Sequence, residues 1–441
     1  MTFARDDVVK TMTLKWLVLL ALAAVVVASF LGCTRAPDQA AASGPTAGTP
    51  EPAPLPGNGA PADAVIDPQL VTAQNRFGFL LLSQLQQEQP DENLVVSPLS
   101  VFMALSLAQM GAKGDTLAAM EQTLQLETLD AATVNGAIAS QIAALTAADP
   151  TAQLAMANSL WARAGGIELK PEFVQAAQAH YQAEVNTLDF DQPTALQAIN
   201  RWVGEATAGK IPAILDQISS NDVLFLLNAI YFKGTWQTPF DPEQTAEAAF
   251  YSPGGSSTTH PLMSRSGDFL YSETDTFQAV SLPYGGGRLR MVVLLPQEGI
   301  SPADLQRQLT ADTWSQWTAE LRRRPGSLKL PQFQLEYGAS LNSTLSALGM
   351  EPAFDPDQAN FSNLSDTSTH ISEVKHKTYI EVNEAGTEAA GATSVGISVT
   401  SAPIDPPQPF EMVVNRPFFL AIEDGASGSL LFLSWIVNPA S

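Results

Sequence analysis

Apolar residues recur at helical spacing over residues 69–89, where Phe77, Leu80, Leu81 and Leu85 fall on one face. Pro90-Asp91-Glu92 ends that pattern. The apolar pair Val95-Val96 then precedes Ser97-Pro98-Leu99-Ser100, which opens a helical run punctuated by Gly111 and Gly114. Residues 115–146 predict two further helices, and 171–183 and 195–207 two more. After Asn221 the texture changes. Residues 223–236 (VLFLLNAIYFKGTW) are apolar at successive positions, as in a central strand buried on both faces, and 289–296 is similar. Residues 328–337 alternate, and 380–386, 409–424 and 430–439 read as further strands. Helices thus concentrate in the first half and strands in the second, which predicts α+β rather than a doubly wound sheet.

The first 67 residues have a different composition. Residues 16–32 (WLVLLALAAVVVASFLG) form an apolar run preceded by Lys10 and Lys15 and followed by the chain's one cysteine, Cys33. A basic lead, an apolar stretch and small residues at its end describe an export signal over residues 1–32. A start at Met12 would leave a tidier lead than one carrying Asp6 and Asp7. Phe30-Leu31-Gly32-Cys33 resembles the lipobox of bacterial lipoproteins, with Phe30 where Leu is usual. That resemblance implies a lipid on Cys33 and a domain held on a bacterial membrane, facing periplasm or exterior. A plain signal peptide and an uncleaved anchor are the alternatives. Residues 33–67 are mostly Ala, Pro and Gly and predict a semi-extended tether. One domain follows, residues 68–441.

Charge and candidate chemistry narrow the function. Net charge is −23, which disfavours nucleic acid and sulfated polysaccharide as partners. The one basic run, Arg322-Arg323-Arg324, reads as a solvated helix end, with a small anion-binding patch as the alternative. A single cysteine excludes a disulfide within the chain and a thiolate metal site. There is no HExxH, no GxSxG and no phosphate-binding loop, so no metal, cofactor or catalytic residue is expected. Gly111–Thr116 reads as a helix-ending turn, and Gly285-Gly286-Gly287 as a hairpin turn.

Residues 384–401 (EAGTEAAGATSVGISVTS) are the informative segment. Alternate positions from Thr387 are Thr387, Ala389, Gly391, Thr393, Val395, Ile397 and Val399. The interleaved set is Glu388, Ala390, Ala392, Ser394, Gly396, Ser398 and Thr400. The first set is small, then β-branched and apolar; the second is small or polar throughout. This is the period of a half-buried strand, yet the run leads into Ala402-Pro403-Ile404-Asp405-Pro406-Pro407, a loop composition. Alternation by chance in a surface loop is the other reading of the segment alone.

The domain resembles the serpin family of serine-protease inhibitors. The blocks that carry the resemblance are Asn93 to Ser100, Leu227 to Trp236, Leu282-Pro283-Tyr284 with Met291 to Pro296, and Leu348-Gly349-Met350 with Ala353-Phe354 and Ala359 to Ser362. His376-Lys377, Glu381 to Glu384, Asn415 to Phe418 and Val437-Asn438-Pro439 complete it, in order. The resemblance implies the serpin fold: helices packed on a large mixed β-sheet, further sheets, and an exposed reactive-centre loop. It implies a monomeric inhibitor that is no enzyme and needs no heparin-type cofactor. The target serine protease forms an acyl-enzyme on the loop, and the cut loop inserts as a strand; serpin loop insertion is a standard example of a switching transition. The hinge would comprise Glu384, Gly386, Thr387, Glu388, Ala389, Ala390, Gly391, Ala392 and Thr393. Ser97, Ser100, Asn228 and His376 match the polar cluster beneath the point where the sheet opens, and Trp236 the aromatic above it.

The inward set of the loop contains no charge, so insertion buries none. Fourteen inserted residues would span about 48 Å at ~3.4 Å each. The family's usual loop length puts the scissile bond at Thr400–Ser401. Thr400, with Ile397 and Val399, suits an elastase-like or subtilisin-like protease. No Lys or Arg lies between Lys377 and Arg416, which disfavours a trypsin-like one. A non-inhibitory serpin-fold binding protein is the alternative, and a lipoprotein hydrolase a more distant one.

Overall fold

The computed structural model describes residues 66–149, 151–253, 255–387 and 408–440. Asp67 opens helix α1 (Pro68–Glu88) by accepting from the Gln69 N–H at 2.8 Å, and Pro68 has no N–H to leave unpaired. α1 buries Phe77, Leu81 and Leu85, while Leu80, expected on the same face, is exposed. Strand β1 (Leu94–Val96) leads into α2 (Pro98–Gln109), which is buried at every position; a helix apolar all round belongs in a core. Then come α3 (Gly114–Thr123), α4 (Ala131–Thr146), β2 (Ala152–Arg163), α5 (Pro171–Tyr181), β3 (Glu184–Leu188) and α6 (Pro193–Ala206).

The second half holds β4 (Leu224–Thr235), β5 (Ala246–Tyr251), β6 (Ser257–Glu273), β7 (Phe277–Pro283) and β8 (Leu289–Pro296). Helices α7 (Pro302–Gln306) and α8 (Ala311–Ala319) intervene. β9 (Arg322–Pro331), β10 (Phe333–Ser340), β11 (Glu373–Asn383), β12 (Gly386–Thr387), β13 (Phe410–Val413), β14 (Phe418–Asp424) and β15 (Leu430–Ile436) follow.

A six-stranded sheet has the order β10-β11-β12-β4-β2-β3, and a nine-stranded one runs β1-β15-β14-β8-β7-β6-β9-β13 with β5 on β6. The six-stranded sheet is mixed: β11 is parallel to β4 and β2 to β3, while β2–β4 and β10–β11 are antiparallel. β4 is its central strand, as the two-faced apolar run required. Leu226, Ile230 and Phe232 enter the main core. Phe225, Leu227 and Tyr231 alternate onto the other face with Ile199 and Val203 of α6. The α+β class expected from the sequence, with helices packed on a large mixed sheet and a further sheet beside it, is what the chain adopts.

Besides Leu80, four local expectations need correction. β2 and β3 lie in the half read as helical. Residues 328–337 are not one strand: the chain leaves the nine-stranded sheet at Pro331 and enters the six-stranded one at Phe333. Residues 409–424 divide around Arg416-Pro417, because proline offers no N–H to a ladder. The basic run opens β9 rather than ending a helix, although Arg322 still donates to the Ala319 carbonyl at the end of α8, at 2.7 Å.

Candidate functional site

The site lies where β11 and β4 part. Over Glu373–Tyr379 and Phe225–Tyr231 the two strands pair directly. Above that stretch a two-residue strand separates them: Thr387 pairs with Val382 and Gly234, and Gly386 with Asn383 and Thr235. β12 is antiparallel to both neighbours. The reversal into it is built by Asn383, whose Oδ1 accepts from the backbone N–H of Ala385 at 3.0 Å and of Gly386 at 3.2 Å. Gly386 is required by close approach, since a Cβ there would lie 2.1 Å from the Gly234 carbonyl oxygen.

Glu384, Gly386 and Thr387, the residues of the expected hinge that fall within the described residues, are each held in place. Glu384 Oε1 accepts from Thr245 Oγ1 at 2.5 Å and Gln332 Nε2 at 2.6 Å. Its carbonyl accepts from the Phe240 N–H at 2.9 Å. Trp236 donates Nε1–H to the Asn383 carbonyl at 2.9 Å and stacks on Tyr284, ring centres 4.5 Å apart. The Tyr284 hydroxyl is 2.7 Å from Thr387 Oγ1, both residues being fully buried. Burial pushes the Tyr284 phenol far above its ordinary range, so it stays a neutral hydrogen-bonding group.

Below the parting point the four residues matched to the polar cluster, Ser97, Ser100, Asn228 and His376, meet. Asn228 Nδ2 donates to the Ser100 carbonyl at 2.9 Å, to Ser100 Oγ at 2.5 Å and to Asn158 Oδ1 at 2.6 Å. Its Oδ1 is therefore the acceptor facing His376 Nδ1, 2.6 Å away. His376 Nε2 accepts from the Ser97 N–H at 3.1 Å, and Ser97 Oγ caps α2 through the Ser100 N–H. The imidazole is thus neutral with its hydrogen on Nδ1, and burial holds its pKa down at about 3. Trp236 is not in this cluster; it belongs to the contacts around Thr387. Cys33, Glu388, Ala389, Ala390, Gly391, Ala392, Thr393, Thr400 and Ser401 lie outside the described residues.

Residues 72–439 match the family model for serpins, serine protease inhibitors. The chain belongs to the serpin family. It is 33% identical to leukocyte elastase inhibitor of Homo sapiens, a match covering 84% of this chain and 100% of that one. The native-state structure of the thermophilic serpin tengpin superposes with a TM-score of 0.78 at 30% identity, over 85% of this chain and 95% of that one. Human thyroxine-binding globulin in complex with its ligand gives 0.77 at 25% identity, over 85% and 99%. In this serpin the sequence reading missed Asn158 and the hydrogen-bonding role of Tyr284. Tyr284 belongs to one of the segments that resemble the family, where its neighbours gave no sign that its hydroxyl reaches Thr387. Asn158 lies on β2, a strand the pattern did not reveal.

Proposed function

We propose that this serpin inhibits serine-type endopeptidases by covalent trapping, the cleaved loop entering the sheet between β11 and β4. The observation that carries the reading is β12, a strand that already occupies the top of that gap in the antiparallel sense insertion requires. Thr387, first of the uncharged alternate set, faces the core. The register of β12 can be extended downward. Ala389 then falls between Ile380 and Phe232, and Gly391 between Thr378 and Ile230. Thr393 falls between His376 and Asn228, so its hydroxyl arrives where those side chains hydrogen-bond. The direct β11–β4 pairing must open by one strand spacing, about 4.8 Å, to admit the loop.

Cleavage falls near Thr400–Ser401, and elastase-like or subtilisin-like proteases are the expected targets. Mixing residues 68–441 with elastase, subtilisin, chymotrypsin and trypsin tests this by denaturing gel and mass spectrometry. A band of summed mass with elastase or subtilisin, and a released peptide beginning at Ser401, is expected. Thr387→Arg should turn inhibitor into substrate, because it would drive a guanidinium into the fully buried site beside Tyr284. Cleavage by every protease with no stable complex would sink the reading. It would favour the non-inhibitory alternative, for which the likeness to thyroxine-binding globulin is the supporting observation.

We further propose that Cys33 carries a lipid that fixes the domain to a bacterial membrane through the residue 33–67 tether. In the producing cells Cys33→Ala should move the protein from the membrane to the aqueous fraction; an unchanged distribution argues against lipidation.

A further inference from the structure

Beyond Thr235 the chain turns away from the six-stranded sheet and forms one wall of a pocket of about 610 Å3. Ser264 to Phe269 of β6 form the other. Arg265 is half-buried there. Its guanidinium carbon lies 5.0 Å from the ring centre of Phe240 and 4.8 Å from that of Phe269, and it donates to the Thr238 carbonyl. The guanidinium packs against both rings, and among the described residues one hydrogen bond leaves most of its five N–H donors unused. Among the described residues no carboxylate lies within the 4.0 Å of an ion pair to Arg265. In a chain with 45 acidic and 22 basic residues, Arg163, Arg288, Arg290, Arg307 and Arg324 each have such a partner, whereas Arg265 shares its lack of one among the described residues with Arg201, Arg322, Arg323 and Arg416 and is set apart from them by the two rings that hold it. Burial without a counter-charge draws the Arg265 pKa down to about 10. Arg323, the middle residue of the basic run, lines the same pocket.

We propose that this pocket binds the carboxylate of a small organic acid, with Arg265 as the fixed cation that receives it. A preorientated guanidinium fork matches a carboxylate edge through two parallel hydrogen bonds. The rest of the lining narrows the ligand further. Asp241 and Asp268 face the same space and repel a dianion such as phosphate. Asp241 already accepts from the Glu243 N–H and from Gln244, which leaves it capacity to accept one donor more. The site therefore favours a monocarboxylate whose body carries a hydroxyl or amino group.

Calorimetric titration of the full-length chain with lactate, alanine, propionate and inorganic phosphate tests the proposal. No protease is involved, so the result is independent of whether the serpin inhibits one. Lactate or alanine should bind saturably, propionate more weakly, and phosphate weakest. Arg265→Gln should weaken binding at least about tenfold with the thermal midpoint reported alongside. Arg265→Lys keeps the charge but not the fork, and should bind with intermediate affinity; it serves as the test if the glutamine variant does not fold. Asp268→Asn should narrow the gap between alanine and propionate. Absence of saturable binding by any carboxylate, phosphate as the tightest ligand, or undiminished affinity in the folded Arg265 variants would overturn the proposal.

Discussion

His376 sits at the β11–β4 seam that the proposed insertion would open, and its environment makes that seam sensitive to acid. In the fold the ring is neutral and its pKa is held at about 3; in the unfolded chain it titrates near the ordinary 6.5. Because the folded value is the lower one, the unfolded chain binds the extra proton between these limits. The stability contributed by the neutral ring is complete above the unfolded value and is lost as pH falls toward the folded one. Between about pH 7 and about pH 5 the loss should be on the order of 2 kcal/mol. Urea unfolding of the native chain and of His376→Gln at both pH values measures it. The variant should be less stable at neutral pH and should lose less on acidification; equal losses would remove His376 as the cause. Resemblance blocks made His376, Asn228, Ser97 and Ser100 legible. The proton position on His376 was not legible, because it depends on Asn158, which only the β2–β4 ladder brings alongside Asn228.

Among elements, β12 is the smallest and the most consequential. Two residues make it a strand with a neighbour on each side, and Gly386 makes the approach possible. A methyl group at that position meets Gly234 backbone, which cannot yield as a side chain tip would. Gly386→Ala should expel β12 from the gap while leaving the β2–β4 ladder intact. Hydrogen exchange would then speed up at residues 386–387 and 234–235 and stay slow at 157–161. Unchanged protection at 386–387 would mean that the pairing tolerates a side chain. The alternation after Thr387 was readable as a strand period, and Thr387 faces the core in the structure. The place of that strand was not readable, since a period of two names no partner. Nor did periodicity separate β9 from β10, because the chain keeps its extended conformation while changing sheets and only Gln332 lies between them.

Across the whole molecule the fold presents a sheet closed below and parted above. The far end of the loop returns through β13, parallel to β9, where Phe410 stacks on Tyr271 with ring centres 3.8 Å apart. Both ends of the segment 388–407 are therefore anchored, one in the six-stranded sheet and the other in the nine-stranded one. On the proposed mechanism, cutting the segment lets the part attached to β12 enter the gap, where Val395 and Ile397 would each gain roughly 1.5–3 kcal/mol on full burial. The most direct test is to cut the loop with a protease that is not trapped, then follow thermal unfolding and hydrogen exchange. Insertion in the register of β12 should raise the unfolding midpoint sharply and protect the amides of residues 389–397, which become strand between β4 and β11. A cleaved chain with an unchanged midpoint and fast-exchanging 389–397 amides would contradict insertion between β11 and β4.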